Sequence, residues 1–249
     1  LDNAFYAVAE DLVNGYQAQN NFEDFKLAVI VNFGIDTSIT EEDLQKGNTA
    51  AVANTLYEEA IGNYNRKKSE MMKQALPVFQ NVRTTQGSHI ENVIVPFTNG
   101  TKGLNVIANL DKTIQTGGAE LAAALERTIT LAMIDDTWKE HLRAMDDLKQ
   151  SVQTAVYEQK DPLVIYKTTA FELFSNMNSE LNRDIVSFLC YAGIPIQENA
   201  PLKEGREERT DMSKMKVKKE ELVGSGGEPG AEQEAYHDPS PVKQDPVRV

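Results

Sequence analysis

Apolar side chains recur at steps of three, four or five residues along two long stretches of the chain, which a short polar segment separates. This spacing is typical of amphipathic helices, and charged residues fill the opposite face of each stretch. The pattern predicts an antiparallel two-helix hairpin over residues 119–193, about 45 Å long or more at roughly 1.5 Å per residue. The apolar positions of the first arm are Leu121, Leu125, Ile129, Ile134, Trp138, Leu142, Met145, Leu148, Val152 and Val156, and those of the second are Leu163, Tyr166, Ala170, Phe174, Met177, Leu181, Ile185 and Phe188.

The turn between the two arms carries its own local signals. Asp161 can cap the second helix, and Pro162 suits the first turn of a helix, where no backbone N–H is needed. Gly193, followed by Pro195, predicts that this helix ends on a glycine in the left-handed conformation. Tyr157 is a large aromatic residue on the turn itself. Its ring either contacts a partner or folds back onto the neck of the hairpin, and the sequence leaves both open.

The residues before the hairpin are also mainly helical in pattern. Residues 1–20 are interpreted as the end of a longer helix, and residues 21–81 as a smaller helical wing. Within the wing, Gly34 is expected to cap a short helix, and the segment Thr40–Asp43 resembles a capping box with Asp in place of Glu. A longer helix is expected from about residue 49 to residue 80, and Pro77 should kink or end it.

Residues 82–118 interrupt the helical pattern. Two β-branched runs, at 89–97 and 104–110, flank the dipeptide Asn99-Gly100, which is a strong signal for a β-hairpin turn. We therefore predict a two-stranded ribbon inserted between helices, and Pro96 predicts that its strand lies at an edge. The expected fold is mainly α: a long antiparallel two-helix hairpin with a smaller helical wing and an inserted β-hairpin.

The remaining residues, 194–249, mix Glu, Lys, Gly, Pro and Ser with few aliphatic residues, which is the composition of a disordered linker. Residues 203–219 are rich in Lys and Arg, so they are a candidate contact for anionic lipid, although a solvated linker explains them as well. The formal net charge of the whole chain is −13. Such a surface argues against a nucleic-acid partner. The chain starts without Met on a helical pattern, which we interpret as a fragment of a larger protein.

The motifs of nucleotide and metal chemistry are missing from the sequence. It has no G-x-x-x-x-G-K-[ST] loop for phosphates, no H-E-x-x-H motif and no paired C-x-x-C motif, so we assign no catalytic residue, no metal ligand and no cofactor to this chain. The adjacent carboxylates Asp135-Asp136 and Asp146-Asp147 point about 100° apart on a helix and do not converge. Cys190 is the only cysteine and is expected to be a buried thiol. Packing of the hairpin is assigned to Trp138, Leu142, Met145, Tyr166 and Phe174, with a ligand groove as the second interpretation of Trp138.

Several segments resemble one known family. Residues 134–150 read Ile-Asp-Asp-Thr-Trp-Lys-Glu-His-Leu-Arg-Ala-Met-Asp-Asp-Leu-Lys-Gln, and they resemble the first arm of the two-helix finger of SecA, the ATP-driven motor of bacterial protein secretion. Residues 157–162 resemble its fingertip loop, and residues 166–174 its second arm. Residues 1–80 are more weakly similar to the end of the scaffold helix and the helical wing. The ribbon departs from the commoner pattern, in which the wing runs almost directly into the finger.

The resemblance implies a division of labour. In that family two RecA-like domains bind ATP and Mg²⁺, a separate domain clamps the preprotein, and the finger reaches the mouth of the SecYEG channel. None of the nucleotide-binding or clamp domains is in this chain, so we expect no ATP hydrolysis by the chain alone. The resemblance implies a cytoplasmic protein, peripheral on the inner membrane, whose partners are SecYEG, an unfolded preprotein and the nucleotide-binding domains of the same protein. It implies contact with the polypeptide or channel through Tyr157, Glu158, Gln159 and Lys160.

Two other functional classes stay open from the residues alone. A non-enzymatic helical adaptor would use the same hairpin to bind one fixed partner. An isolated enzyme would need carboxylates that converge in a pocket, which their spacing does not supply.

Overall fold

A computed structural model describes residues 1–86, 89–152, 161–195 and 203–204 of the chain. The fold is mainly α, as the apolar pattern predicts. The helices are α1 (Asp2–Gln19), α2 (Phe22–Phe33), α3 (Glu41–Lys46), α4 (Thr49–Gln86), α5 (Leu110–Gln115), α6 (Ala119–Val152) and α7 (Pro162–Tyr191). The strands are β1 (Asn92–Thr98), β2 (Gly103–Asn109) and β3 (Lys203–Glu204). Within these described ranges no helix has the length and apolar character needed to span a bilayer.

The local cap signals of the wing are confirmed. Gly34 ends α2 in the left-handed conformation, with φ 65°. The Thr40 side chain accepts a hydrogen bond from the Asp43 backbone, and the Asp43 carboxylate accepts from the Thr40 backbone at 2.9 Å. The Thr40 hydroxyl also donates to the Asp43 carboxylate at 2.6 Å, and the hydrogen bonds that the hydroxyl and backbone of Thr40 donate to this carboxylate hold the pKa of Asp43 below its usual value. Both caps involve residues within four positions of each other, which is why the sequence alone predicts them.

Helix α4 differs from its prediction. It neither ends at Gln80 nor stops at Pro77, but continues to Gln86. A proline inside a helix removes one backbone hydrogen bond and costs about 3 kcal/mol. The next turn offsets part of this cost, because Phe79 is buried and Arg83 forms an ion pair with Asp111 at 3.1 Å. The division of the chain into scaffold, wing, ribbon, finger and linker stays a prediction.

The core lies where α1, α2, α4, α7 and the first half of α6 meet. Phe5 of α1 is fully buried, with ring centroids 6.1 Å from Phe33 and 5.4 Å from Tyr64. One continuous cluster of buried apolar residues joins these helices. It includes Val8, Leu12, Val29, Leu56, Phe79, Leu121, Leu125, Ile129, Ile185, Val186, Phe188 and Leu189.

The inserted ribbon is confirmed. Strands β1 and β2 pair antiparallel, with Thr98 opposite Gly103 and Asn92 opposite Asn109. At the turn, the Asn99 side chain accepts hydrogen bonds from the backbone N–H groups of Thr101 and Lys102, at 3.1 and 2.8 Å. One face of the ribbon is buried and β2 lies against α6, so the ribbon packs on the hairpin as an isolated ribbon must.

The edge position predicted from Pro96 is wrong. The strand order is β2-β1-β3, so β1 is the central strand. However, β3 pairs only with Val93 and Ile94, and Pro96 itself has no partner on that side within the described residues.

The predicted end of α7 is wrong in its detail. The helix ends at Tyr191, but the cap residue Ala192 has φ −57° and ψ 135°, and Gly193 does not adopt a positive φ. Gly193 instead pairs with Thr98, because each backbone N–H donates to the other carbonyl, at 2.9 and 2.8 Å. A partner distant in sequence therefore replaces the local cap.

Candidate functional site

Helices α6 and α7 form the hairpin that carries the candidate functional site. Its second arm begins as predicted: the Asp161 carboxylate accepts a hydrogen bond from the Leu163 backbone at 2.9 Å, and Pro162 occupies the first turn. Helix α7 has 30 residues, which corresponds to about 45 Å at 1.5 Å per residue. Helix α6 packs along it and has 34 residues. The pair is a long, continuous two-helix element.

The two halves of the hairpin differ in burial. The half next to the core is buried through residues such as Leu125, Met133 and Phe188. Farther out, large apolar side chains lie open to solvent, with Leu148 as a buried exception. We call this exposed set the outer stripe; its members are Ile134, Trp138 and Leu142 on α6 and Phe171 and Phe174 on α7.

The outer stripe crosses from one arm to the other through His141. Its ring lies 5.5 Å from the ring of Trp138 and 5.9 Å from that of Phe174, measured between centroids. Phe171 is 73% exposed. Contiguous exposed apolar surface on a soluble domain typically marks contact with another molecule. The outer stripe is therefore the candidate contact surface of the hairpin.

The residues assigned to packing of the hairpin do not form a buried seam. Trp138, Leu142 and Phe174 are 47%, 49% and 50% exposed, and Met145 and Tyr166 are half-buried. Trp138 is thus less covered than a packing anchor inside the hairpin would be. Helical spacing identifies a common face, but not what covers that face. A packing role for the exposed residues against another molecule stays a prediction.

The four predicted contact residues of the turn, Tyr157, Glu158, Gln159 and Lys160, lie outside the described residues. Their role stays a prediction.

A groove of about 770 Å³ lies between the ribbon turn and the hairpin. Its lining includes the carboxylates of Asp136, Glu140, Glu180 and Asp184, together with Lys102, Lys139 and Arg143. Charges of both signs alternate there, and among the described residues no group of three or more His, Cys, Asp or Glu side chains is arranged to hold a metal ion.

A polar cluster joins α4 of the wing to the base of α6. The Tyr64 hydroxyl donates to the Glu126 carboxylate at 2.8 Å, and the Lys68 ammonium lies 3.1 Å from the same oxygen. Lys68 also lies 4.9 Å from the centroid of the Tyr64 ring. Burial raises the pKa of Tyr64 well above its usual value, and the negative charge of Glu126 adds to the effect. This cluster was not predicted, because the sequence places Tyr64 on a helical face without indicating its partner.

The end of α7 is held by α4 and α2. The Lys67 ammonium donates to the Cys190 carbonyl at 3.1 Å and lies 5.8 Å from the centroid of the Tyr191 ring. The Tyr191 hydroxyl donates to the Ile30 carbonyl. Cys190 is buried, as predicted, and this burial raises the pKa of its thiol to about 12. Both arms of the hairpin are thus fixed to the wing at their base, and both are exposed farther out.

The buried thiol predicts a loss of stability at alkaline pH. The folded state keeps Cys190 protonated up to about pH 12, whereas the thiol of the unfolded chain ionises near pH 9. The unfolded state therefore binds fewer protons above pH 9, and the free energy of unfolding should fall as pH rises, by about 1.4 kcal/mol per pH unit from this group. Urea unfolding at pH 8, 10 and 11 measures the slope. Cys190→Ala, measured in parallel, should show a shallower fall; equal slopes would contradict the assignment.

Comparison with known proteins finds relatives that cover most of the chain. Residues 1–192 match the family model described as "SecA Wing and Scaffold domain". The chain is 40% identical over 246 residues to a Cytophaga hutchinsonii protein, which covers 99% of this chain and 22% of the relative. It is 41% identical over 222 residues to a Christiangramia forsetii protein, covering 89% of this chain and 20% of the relative. Both relatives are named protein translocase subunit SecA. The chain thus spans about a fifth of their length, and no solved structure gives a significant match.

Proposed function

This chain belongs to the SecA family, and on that premise we propose that it is the wing, scaffold and finger part of a motor that drives unfolded preproteins through the SecYEG channel. In this proposal ATP and Mg²⁺ bind in another part of the motor, and this chain converts the resulting movement into displacement of the polypeptide. No catalytic residue is assigned to it.

The outer stripe carries the proposal. An exposed apolar face on a long hairpin is available to another molecule, and its burial there would gain roughly 25 cal/mol per Å². Here the base is buried while Trp138, Leu142 and Phe174 remain about half exposed. This arrangement suits an element that enters another protein. We propose that this protein is the mouth of the channel, with the turn that carries Tyr157 closest to the moving chain.

The contacts at the base support a transmitting role. Glu126 connects α6 to Tyr64 and Lys68 of the wing, and Gly193 after α7 is hydrogen-bonded to Thr98 of the ribbon. Both arms are therefore tied to the wing and the ribbon. A small rotation of the wing would then move the distal end of a hairpin about 45 Å long by a larger distance.

The remaining partners follow from the same proposal. The nucleotide-binding domains of the motor would meet this chain at its scaffold and wing. The basic residues after 203 would contact anionic lipid on the cytoplasmic face of the inner membrane. Most of these basic residues lie outside the described part of the chain.

Crosslinking from the outer stripe tests the proposal. We would replace the matching segment of the Cytophaga hutchinsonii relative by this chain, remove exposed cysteines elsewhere, and introduce Phe171→Cys. A preprotein is then stalled in the channel, and a short bifunctional thiol reagent is added. We expect crosslinks to SecYEG or the preprotein that depend on ATP. Val78→Cys on α4, where the native side chain is 48% exposed, is the matched control and should give none.

The outcome distinguishes the motor from the adaptor. A helical adaptor would crosslink from position 171 to one fixed protein, whether or not a preprotein is present. Equal crosslinking from positions 78 and 171 would also contradict a specific role of the hairpin.

A further inference from the structure

Strand β1 pairs with β2 on one edge; we call the opposite edge its outer edge. Gly193 and the tail residues Lys203–Glu204 pair with this outer edge at different positions. Alternate residues of a strand direct their backbone N–H and C=O groups to opposite edges. Thr98 exchanges both hydrogen bonds with Gly193, so Thr98 faces the outer edge. Glu91, just before β1, has the opposite parity, and its carbonyl accepts a hydrogen bond from the N–H of Leu110, which directly follows β2. Ile94 and Pro96 share the parity of Thr98, so their backbones also face outward.

Thr98, Ile94 and Pro96 differ in how their outward backbone groups are paired. Thr98 is paired with Gly193, and Ile94 is opposite Lys203. Pro96, between them, has no N–H to donate. The N–H donors of β1 that face the outer edge are therefore those of Asn92, Ile94 and Thr98. That of Thr98 is hydrogen-bonded to Gly193, and that of Ile94 faces Lys203 of the tail.

The register shows that the tail meets this edge in a second, separate place. In one continuous antiparallel strand, the residue opposite Ile94 would lie four positions after Gly193, because Ile94 lies four positions before Thr98. Lys203 lies ten positions after Gly193, so the tail contains six more residues than a continuous strand would need. The pairing at Ile94 is therefore not a simple extension of the bridge at Thr98.

We propose that the outer edge of β1 is a docking site for an extended strand, and that its occupant is this chain's own tail at Lys203–Glu204. An open strand edge is a template for pairing with another chain, so natural proteins cover or block such edges. Here Pro96 has no donor in the middle of the edge, and the tail pairs beside Ile94. Strand addition gains affinity from main-chain hydrogen bonds and needs little side-chain recognition. With two paired residues in the described part of the tail, the contact is an anchor that can open and that holds the beginning of the tail against the ribbon.

Parity gives a sharp test. Because Ile94 faces outward, its pair with Lys203 is the one that exchanges hydrogen bonds, and the N–H of Glu204 points away from β1. Lys203→Pro therefore removes a donor to β1, whereas Glu204→Pro does not, although both insert the same ring. The measurement is amide hydrogen exchange in the full 249-residue chain, read at Ile94. Val95, whose N–H faces β2, is the internal control.

We expect Lys203→Pro to speed exchange at Ile94 about fivefold, the loss of about one net hydrogen bond. Glu204→Pro should leave Ile94 unchanged, and Val95 should be unchanged in both variants. A chain truncated after Gln197 should match Lys203→Pro at Ile94. Equal effects of the two prolines, or fast exchange of Ile94 in the unmodified chain, would overturn the proposal. Protection of Ile94 that rises with protein concentration would identify a second copy as the occupant and would also overturn it.

Discussion

Tyr157→Ala is expected to stop preprotein transport by a SecA relative that carries this chain, while basal ATP hydrolysis and folding stay intact. The motor must hold unfolded polypeptides of any sequence, so recognition by specific hydrogen bonds would be a handicap. A tyrosine ring offers a large rigid surface at a low cost in side-chain entropy, and its hydroxyl can bond to backbone groups. Truncation of an aromatic hot spot of this kind costs about 2 kcal/mol or more, so transport should fall roughly 30-fold.

The control variants separate ring area from other causes. Tyr157→Phe and Tyr157→Trp should retain much more transport than Tyr157→Ala, because the ring matters more than the hydroxyl. Glu158→Ala and Gln159→Ala change neighbouring residues of the predicted turn, whose predicted contacts are polar and secondary, and should reduce transport less than Tyr157→Ala does. Normal transport by Tyr157→Ala would end the fingertip hypothesis for this chain, and an equal loss with Tyr157→Phe would show that the hydroxyl is essential.

Phe5→Ala should give the largest loss of stability. Phe5 is fully buried between Phe33 of α2 and Tyr64 of α4, so its removal leaves a cavity where three helices meet. Truncation of a buried Phe to Ala costs about 3–5 kcal/mol. Urea unfolding of the chain, followed by circular dichroism, measures this loss.

Trp138→Ala is the matched control for Phe5→Ala. It also truncates an aromatic residue on a helix, but Trp138 is about half exposed and should cost about 1 kcal/mol. If both variants lose the same free energy, the outer half of the hairpin is packed in solution and the outer stripe is not free for a partner.

Features that depend on neighbouring residues could be predicted from the sequence. Asp161 caps α7 because its carboxylate reaches an N–H two residues away. Asn99-Gly100 forms the ribbon turn because the Asn side chain bonds to the next residues and Gly100 tolerates φ 92°. The spacing of apolar residues likewise indicates the helices, since burial of one face needs a period near 3.6.

Features that depend on distant partners could not be predicted. Pro77 indicates the end of a helix locally, but burial of Phe79 continues α4 beyond it. Gly193 indicates a helix cap, but Thr98 binds its backbone instead. Trp138 fits a helical seam in pattern, yet how much of the partner arm covers it depends on the packing of the two helices. The assignment of the site to the hairpin stays a prediction, and the exposure of Trp138 depends on packing that the sequence does not show.

The first and last helices of the fold pack against each other, and this affects how the protein is made. Helix α1 lies against α7, and Asp11 meets Arg183 at 3.5 Å across 172 residues of sequence. At a synthesis rate of about 5–20 residues per second, roughly 10–30 s separate the appearance of these two residues on the ribosome. During that interval the apolar face of α1 lacks one of its native neighbours. A nascent chain interrupted before α7 should therefore bind chaperones and be cleaved by proteases, and completion of α7 should end both.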